Sequence, residues 1–159
     1  MVASSTTPRD PRGAGYVPLW VKSHYSFLEG ASSPEELVEQ AHALGLGALA
    51  MTDRDGVYGL VKAHFAARER GLRLIAGAEL TLTGVGSPDA SRATSAGALA
   101  SMNHPTRVVA LAHDREGYAQ LCRLISVGQG RAPKGQSQLA AHELAALTHC
   151  ELLCADPAL

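Results

Sequence analysis

Five charged residues stand at or close to the ends of short apolar runs: Lys22, Glu29, Asp53, Arg54 and Glu79. Carboxylates in such places have two chemical uses. A carboxylate can ligate a divalent metal, which generates hydroxide and steadies charge on a phosphate. Alternatively, it can pair with a base. Lys22 and Arg54 work against the metal. At ~4 Å and an effective dielectric near ~20, opposing unit charges cost about 4 kcal/mol, and a divalent ion about double. Trp20, two residues before Lys22, brings no lone pair, because an indole nitrogen only donates. The same two cations could instead supply the positive charge that neighbouring carboxylates need. Asp53 has a further reading, that of orienting the turn after it.

Other reactive side chains make weaker patterns. His149, Cys150 and Cys154 lie close in sequence, but a structural zinc site wants two spaced ligand pairs, and no second pair is present. The cysteines therefore read as free thiols. His42 and His64 fall on helical stretches as core-edge or surface residues. His24, His104, His113, His142 and His149 match no ligand motif. Arg131 and Lys134 could touch DNA, but a solvated charged loop is the commoner explanation of such residues. No glycine-rich phosphate loop and no nucleophile–base arrangement stands out.

The elements that must position these groups alternate. Val17 to Val21 reads as a strand. Ser33, Pro34 and Glu36 form a capped helix start, and Leu37, Val38, Ala41 and Leu44 give an apolar stripe ending at Gly45. Ala48 to Thr52 suits a buried strand. A helix from Val57 to Arg70 carries Leu60, Val61, His64 and Phe65 on one side and stops at Gly71. Leu72 to Ala76 and Glu79 to Leu82 read as strand interrupted by Gly77. Residues 84–106 lack periodicity and read as a long flexible loop. Arg107 to Ala112 is a strand, and Asp114 caps a helix with Tyr118, Leu121, Cys122 and Ile125 inward. Gly128 to Gln138 reads as a loop, His142 to Thr148 as a helix and Glu151 to Ala155 as a last strand. This alternation means an α/β fold with mainly parallel strands. Chemistry in such folds gathers at the C-terminal strand ends, where Trp20 to Ser23, Thr52 to Arg54 and Gly77 to Glu79 would meet.

Composition excludes several classes. Of 159 residues, 46% are hydrophobic and 18% charged, with a formal net charge of −1. That balance exerts no general pull on nucleic acid, so any DNA handled nearby must be held by another region. No apolar run approaches the ~20 residues of a membrane span. Residues 1–15 are polar, lack the apolar core of a signal peptide and read as a disordered leader. Three cysteines without such a signal point to a reducing cytoplasm.

The three convergent stretches resemble the motifs of the polymerase-and-histidinol-phosphatase (PHP) family. Leu19-Trp20-Val21-Lys22-Ser23 is similar to its Leu-His-x-His-Ser motif, Thr52-Asp53-Arg54 to Thr-Asp-His, and Gly77-Ala78-Glu79 to Gly-x-Glu. Tyr25 to Ala31, Arg107 to Ala112, Gly117-Tyr118 and Leu121 to Ile125 resemble the bacterial DNA polymerase III α-subunit group. Arg131 to Gly135 is similar to its error-prone branch. Together these cover residues 16–159.

The resemblance implies the N-terminal part of a PHP domain, a partial (β/α)7-like barrel whose rim binds divalent metals in intact relatives. Those relatives can use it for 3′–5′ proofreading, and the error-prone branch is associated with synthesis past damaged DNA and repair. Here three imidazole positions are replaced by Trp20, Lys22 and Arg54. Trp20, Lys22, Glu29, Asp53, Arg54 and Glu79 are thus relic positions, with no metal, no cofactor and no catalytic residue expected. The expected role is structural, beside the remainder of a polymerase chain or its replication and repair partners, touching DNA only indirectly. A metal-dependent phosphoesterase or exonuclease with an altered ligand set is the alternative. Polymerase catalytic parts lie far beyond this length in such relatives, so the chain alone is not expected to polymerise DNA. A strand near residues 151–155 with no further barrel units beside it is expected to leave an open edge.

Overall fold

A computed structural model describes residues 15–83 and 106–154. The leader and almost all of the 84–106 loop lie outside them. Four strands form one sheet in the order β1-β2-β3-β4: β1 (Ala48–Met51), β2 (Arg73–Leu82), β3 (Thr106–Ala112) and β4 (Cys150–Cys154). Three α-helices accompany them: α1 (Pro34–Ala43), α2 (Leu60–Arg70) and α3 (Arg115–Arg131).

The parallel expectation holds for β1 and β2, and gives way beyond them. β2–β3 and β3–β4 are antiparallel, so the sheet is mixed. Among the described residues it is open and does not close into a barrel. α2 provides the crossover that parallel strands require. An antiparallel return such as that from β2 to β3 needs no crossover helix.

α1 begins as its sequence dictates. Ser33 accepts from the Glu36 amide, and the Glu36 carboxylate accepts from the Ser33 amide. Leu44, placed in the apolar stripe, is instead the C-terminal cap and is exposed. α2 starts at Leu60, later than Val57, and buries Leu60, Ala63, Ala66 and Ala67. Val61, His64 and Phe65 turn outward. Small alanines let this helix lie close to α1 and the sheet, and that close approach outweighs the bulkier stripe.

β2 runs through Gly77 without a break. A Cβ at Gly77 would sit 2.6 Å from the Ala110 carbonyl oxygen of β3, so glycine permits close strand approach. α3 likewise passes through Gly128 and Gly130, shortening the expected loop. A Cβ at Gly128 would meet Ser137 Oγ at 2.6 Å and Leu139 Cγ at 2.8 Å. Packing of Leu139 against this bare position overrides the poor helix propensity of glycine. In α3, Leu121 and Ile125 are buried, whereas Tyr118 and Cys122 are half-buried. The last helix is one 3-10 segment, Ala141–Ala146.

Val17 to Val21 is not a regular strand. Ala50 and Thr52 donate their amides to the Pro18 and Val21 carbonyls at 3.0 and 2.8 Å. Pro18 has no amide to return, and the Val21 amide goes to Thr52 Oγ1 at 2.9 Å. The segment therefore lies along β1 without a ladder. Two main cores result: Val38, Met51 and Ala63 between α1, α2 and β1, and Leu80, Ala110, Leu121 and Leu139 beneath α3.

Candidate functional site

Glu79 lies inside β2 rather than at its end, and it is fully buried. Its strand continues apolar through Leu80 and Leu82, which the pairing with β3 buries. Beyond β1 the chain stays in register: Arg54 bridges to Glu79, the Glu79 amide donates to the Asp53 carbonyl at 3.0 Å, and the Asp55 amide donates to the Glu79 carbonyl at 2.8 Å. These backbone bonds hold Arg54 beside Glu79.

Three donors surround the Glu79 carboxylate. Trp20 Nε1 donates to Oε2 at 2.7 Å, Lys22 Nζ to Oε1 at 2.9 Å and Arg107 Nη1 to Oε1 at 3.1 Å. Burying a carboxylate is costly unless it is paired and hydrogen-bonded, and here both conditions are met. Glu29 forms a second node. It pairs with Lys22, with Arg54 Nη1 at 2.5 Å, and with Arg107 Nη2 at 3.1 Å. Lys22 also stands 5.6 Å from the Trp20 ring centroid. Three cations thus interlock with two carboxylates.

A short loop aims Glu29 at these cations. Leu28 takes φ 65°, a left-handed conformation that a branched side chain rarely adopts. Gly30 follows where a Cβ would lie 2.0 Å from the Ser23 carbonyl oxygen. Only glycine fits there, so the loop folds back tightly. Burial raises the Glu29 pKa, but the hydrogen bond and charge of Lys22 outweigh it. With Arg54 and Arg107 adding to them, the carboxyl is held below its ordinary value.

Asp53 belongs to a separate network. Its oxygens accept from the Ser23 amide at 2.7 Å, Ser23 Oγ at 2.8 Å and Ser26 Oγ at 2.7 Å. It is 2% exposed, and its carboxylate shapes the 23–26 turn, which lies before it in the chain, and not the turn after it that the sequence suggested. The fold therefore gathers Trp20, Lys22, Glu29, Arg54 and Glu79, and leaves Asp53 apart.

Sequence reasoning missed Arg107. Its only signal was a cation opening the apolar run Arg107 to Ala112. In register, Thr81 faces Arg107 and Glu79 faces Val109, which puts Arg107 and Glu79 on one face of the sheet. That placement follows only from the antiparallel pairing, which the expected parallel sheet did not contain.

The donor set does not fit a divalent metal. The oxygens of Glu79 and Glu29 are engaged by charged or N–H donors, and among the described residues no imidazole joins them. Among the described residues, no group of three His, Cys, Asp or Glu side chains could hold a metal ion. His149 is occupied elsewhere, 2.9 Å from Asp114, the cap of α3.

Residues 19–158 match the PHP domain family. The chain belongs to that family. It is 50% identical over 111 residues to the error-prone DNA polymerase of Anaeromyxobacter sp. (strain K), covering 70% of this chain and 8% of that protein. It is 47% identical over 122 residues to the error-prone DNA polymerase of Bordetella parapertussis, covering 77% and 10%. The error-prone DNA polymerase of Vibrio vulnificus is 36% identical over 138 residues, covering 87% and 12%. This PHP chain spans about a tenth of the length of these relatives. Among solved structures it is similar to a candidate metal-dependent phosphoesterase from Bifidobacterium adolescentis, at 23% identity and TM-score 0.49, covering 72% of this chain and 32% of that one. An amidohydrolase from Chromobacterium violaceum gives 26% identity and TM-score 0.48, covering 72% and 33%.

Proposed function

We propose that this chain is the PHP portion of an error-prone DNA polymerase and serves a structural role there, with protein cations in place of metals. The observation that carries this reading is the Glu79 carboxylate, buried and held by Trp20, Lys22 and Arg107. Metal-assisted hydrolysis needs lone pairs directed at an ion. Here the corresponding oxygens receive hydrogen bonds, two of them from cations that would repel an ion. The cluster instead ties the N-terminal segment, the 23–30 loop, β2 and β3 into one unit.

In this reading the chain sits beside the remainder of a polymerase that acts past DNA damage and in repair, in the cytoplasm. Duplex DNA is gripped by other parts of that polymerase. No helix among the described residues is long and apolar enough to cross a membrane.

The test is hydrolysis of a chromogenic phosphodiester and of a single-stranded oligonucleotide, with manganese or zinc added. No turnover above a Glu79→Gln variant is expected. Metal-dependent turnover that Glu79→Gln abolishes would establish an active phosphoesterase instead.

A further inference from the structure

A cleft of about 430 Å³ opens beside the charged cluster, within the ~300–1,000 Å³ range of small-ligand pockets. Three aromatic residues line it: Tyr25, Phe27 and Tyr58. The whole chain has only seven Phe, Tyr and Trp residues, so nearly half gather here. Their rings are not core packing, for Phe27 is 74% exposed and Tyr58 60%. The Tyr25 and Tyr58 centroids are 6.3 Å apart with planes tilted by 38°. Gln129 Nε2 donates to the Asp55 carbonyl at 2.6 Å and to the Tyr58 hydroxyl at 3.1 Å, which fixes the Tyr58 ring against α3.

Two cations share the cleft, Arg54 and Lys134. One Arg54 nitrogen is held by Glu29, but a guanidinium carries five N–H donors. Lys134 makes no ion pair among the described residues. The one acidic group in the lining, Asp55, directs both oxygens at Thr81, accepting from its amide and hydroxyl at 2.8 Å each. The cleft thus joins exposed aromatic rings to cations, the pairing by which proteins hold single strands: bases stack on rings and phosphates meet cations.

We propose that this cleft binds an unpaired nucleotide of single-stranded nucleic acid. Its base lies against Tyr25, Phe27 and Tyr58, and its phosphate meets Lys134 and Arg54. A net charge of −1 gives no field for duplex, so contact is local, weak and selective for unstacked bases. The inference stands on the cleft alone and requires no metal.

The experiment is fluorescence anisotropy on the full chain in EDTA at low salt, with a labelled oligothymidylate, the matching duplex and a proline-rich peptide as probes. Single strand is expected to bind more tightly than duplex. Phe27→Leu and Tyr58→Leu are each expected to weaken it by about 5- to 100-fold. Lys134→Gln is expected to weaken binding and flatten the logarithmic salt dependence by about 0.7. Phe65→Leu, which removes an exposed ring on α2 outside the cleft, is expected to change nothing. Phe27 and Lys134 are surface residues, so their replacement leaves folding intact. No single-strand binding, equal affinity for duplex, indifference to ring loss, or peptide binding through the same rings would each overturn the proposal. Because EDTA is present, none of these outcomes bears on the metal-free reading of the neighbouring cluster.

Discussion

Lys22→Met tests the cluster at its most shared member. Lys22 bridges Glu29 and Glu79, and its side chain is 16% exposed against 0% for Glu79. Breaking a buried ion pair by removing one partner typically costs ~3–5 kcal/mol. Here Glu79 keeps Trp20 and Arg107, and Glu29 keeps Arg54 and Arg107. The expected loss is therefore smaller, about 2–4 kcal/mol, since the remaining donors cover part of the charge. Methionine retains much of the lysine stem, so packing changes little. Urea unfolding followed by fluorescence of Trp20, the chain's single tryptophan, reads the change as a lower midpoint at constant slope. Arg123→Ala is the control. That arginine is 71% exposed and among the described residues pairs only with Glu116, so its loss should stay within about 0.5 kcal/mol. Adding Glu79→Gln to Lys22→Met should cost less than the two single losses summed, by about 1–3 kcal/mol. If Lys22→Met matches Arg123→Ala, the cluster does not hold the fold together.

Acid should weaken the same cluster. With a folded-state pKa below its unfolded value, Glu29 contributes stability above the unfolded carboxyl value of ~4.3, and loses it as pH falls through the lowered folded value. Denaturation midpoints across acidic pH should therefore flatten in Glu29→Gln. Restoring imidazoles by Trp20→His, Lys22→His and Arg54→His should raise zinc affinity only slightly while Arg107 remains, because ligands act together with their surroundings. Adding Arg107→Ala should raise it further in calorimetry, and no difference between triple and quadruple variants would count against Arg107 as the opposing charge. Finally, among the described strands β4 pairs with β3 alone, and it shows Leu152 and Leu153 at its surface. Exposed apolar edges invite pairing, so sedimentation should reveal self-association that Leu153→Lys reduces.

Much of this architecture was legible where one local signal ruled. The Ser33 and Glu36 cap, the buried run at Ala48 and the Asp114 cap of α3 each rest on nearest-neighbour chemistry. Long-range pairing was not legible. The antiparallel return of β3 depends on register with β2, and no periodicity within Arg107 to Ala112 encodes it. The alanine face of α2 and the helical Gly128 were hidden for a related reason: small residues signal close packing only once the partner is known. The candidate site divides the same way. Lys22 and Arg54 announced their charge, but the separation of Asp53 from Glu79 and the arrival of Arg107 are products of the fold.

The most direct test of the central claim is metal titration. Tag-free protein should be titrated with zinc and with manganese by calorimetry, alongside elemental analysis of the protein as purified. The interlocking of Lys22, Arg54 and Arg107 with Glu29 and Glu79 predicts substoichiometric metal content and no saturable heat that Glu79→Gln removes. A tight, stoichiometric metal lost in Glu79→Gln would contradict the account, because the carboxylate would then belong to an ion and not to the protein's own cations.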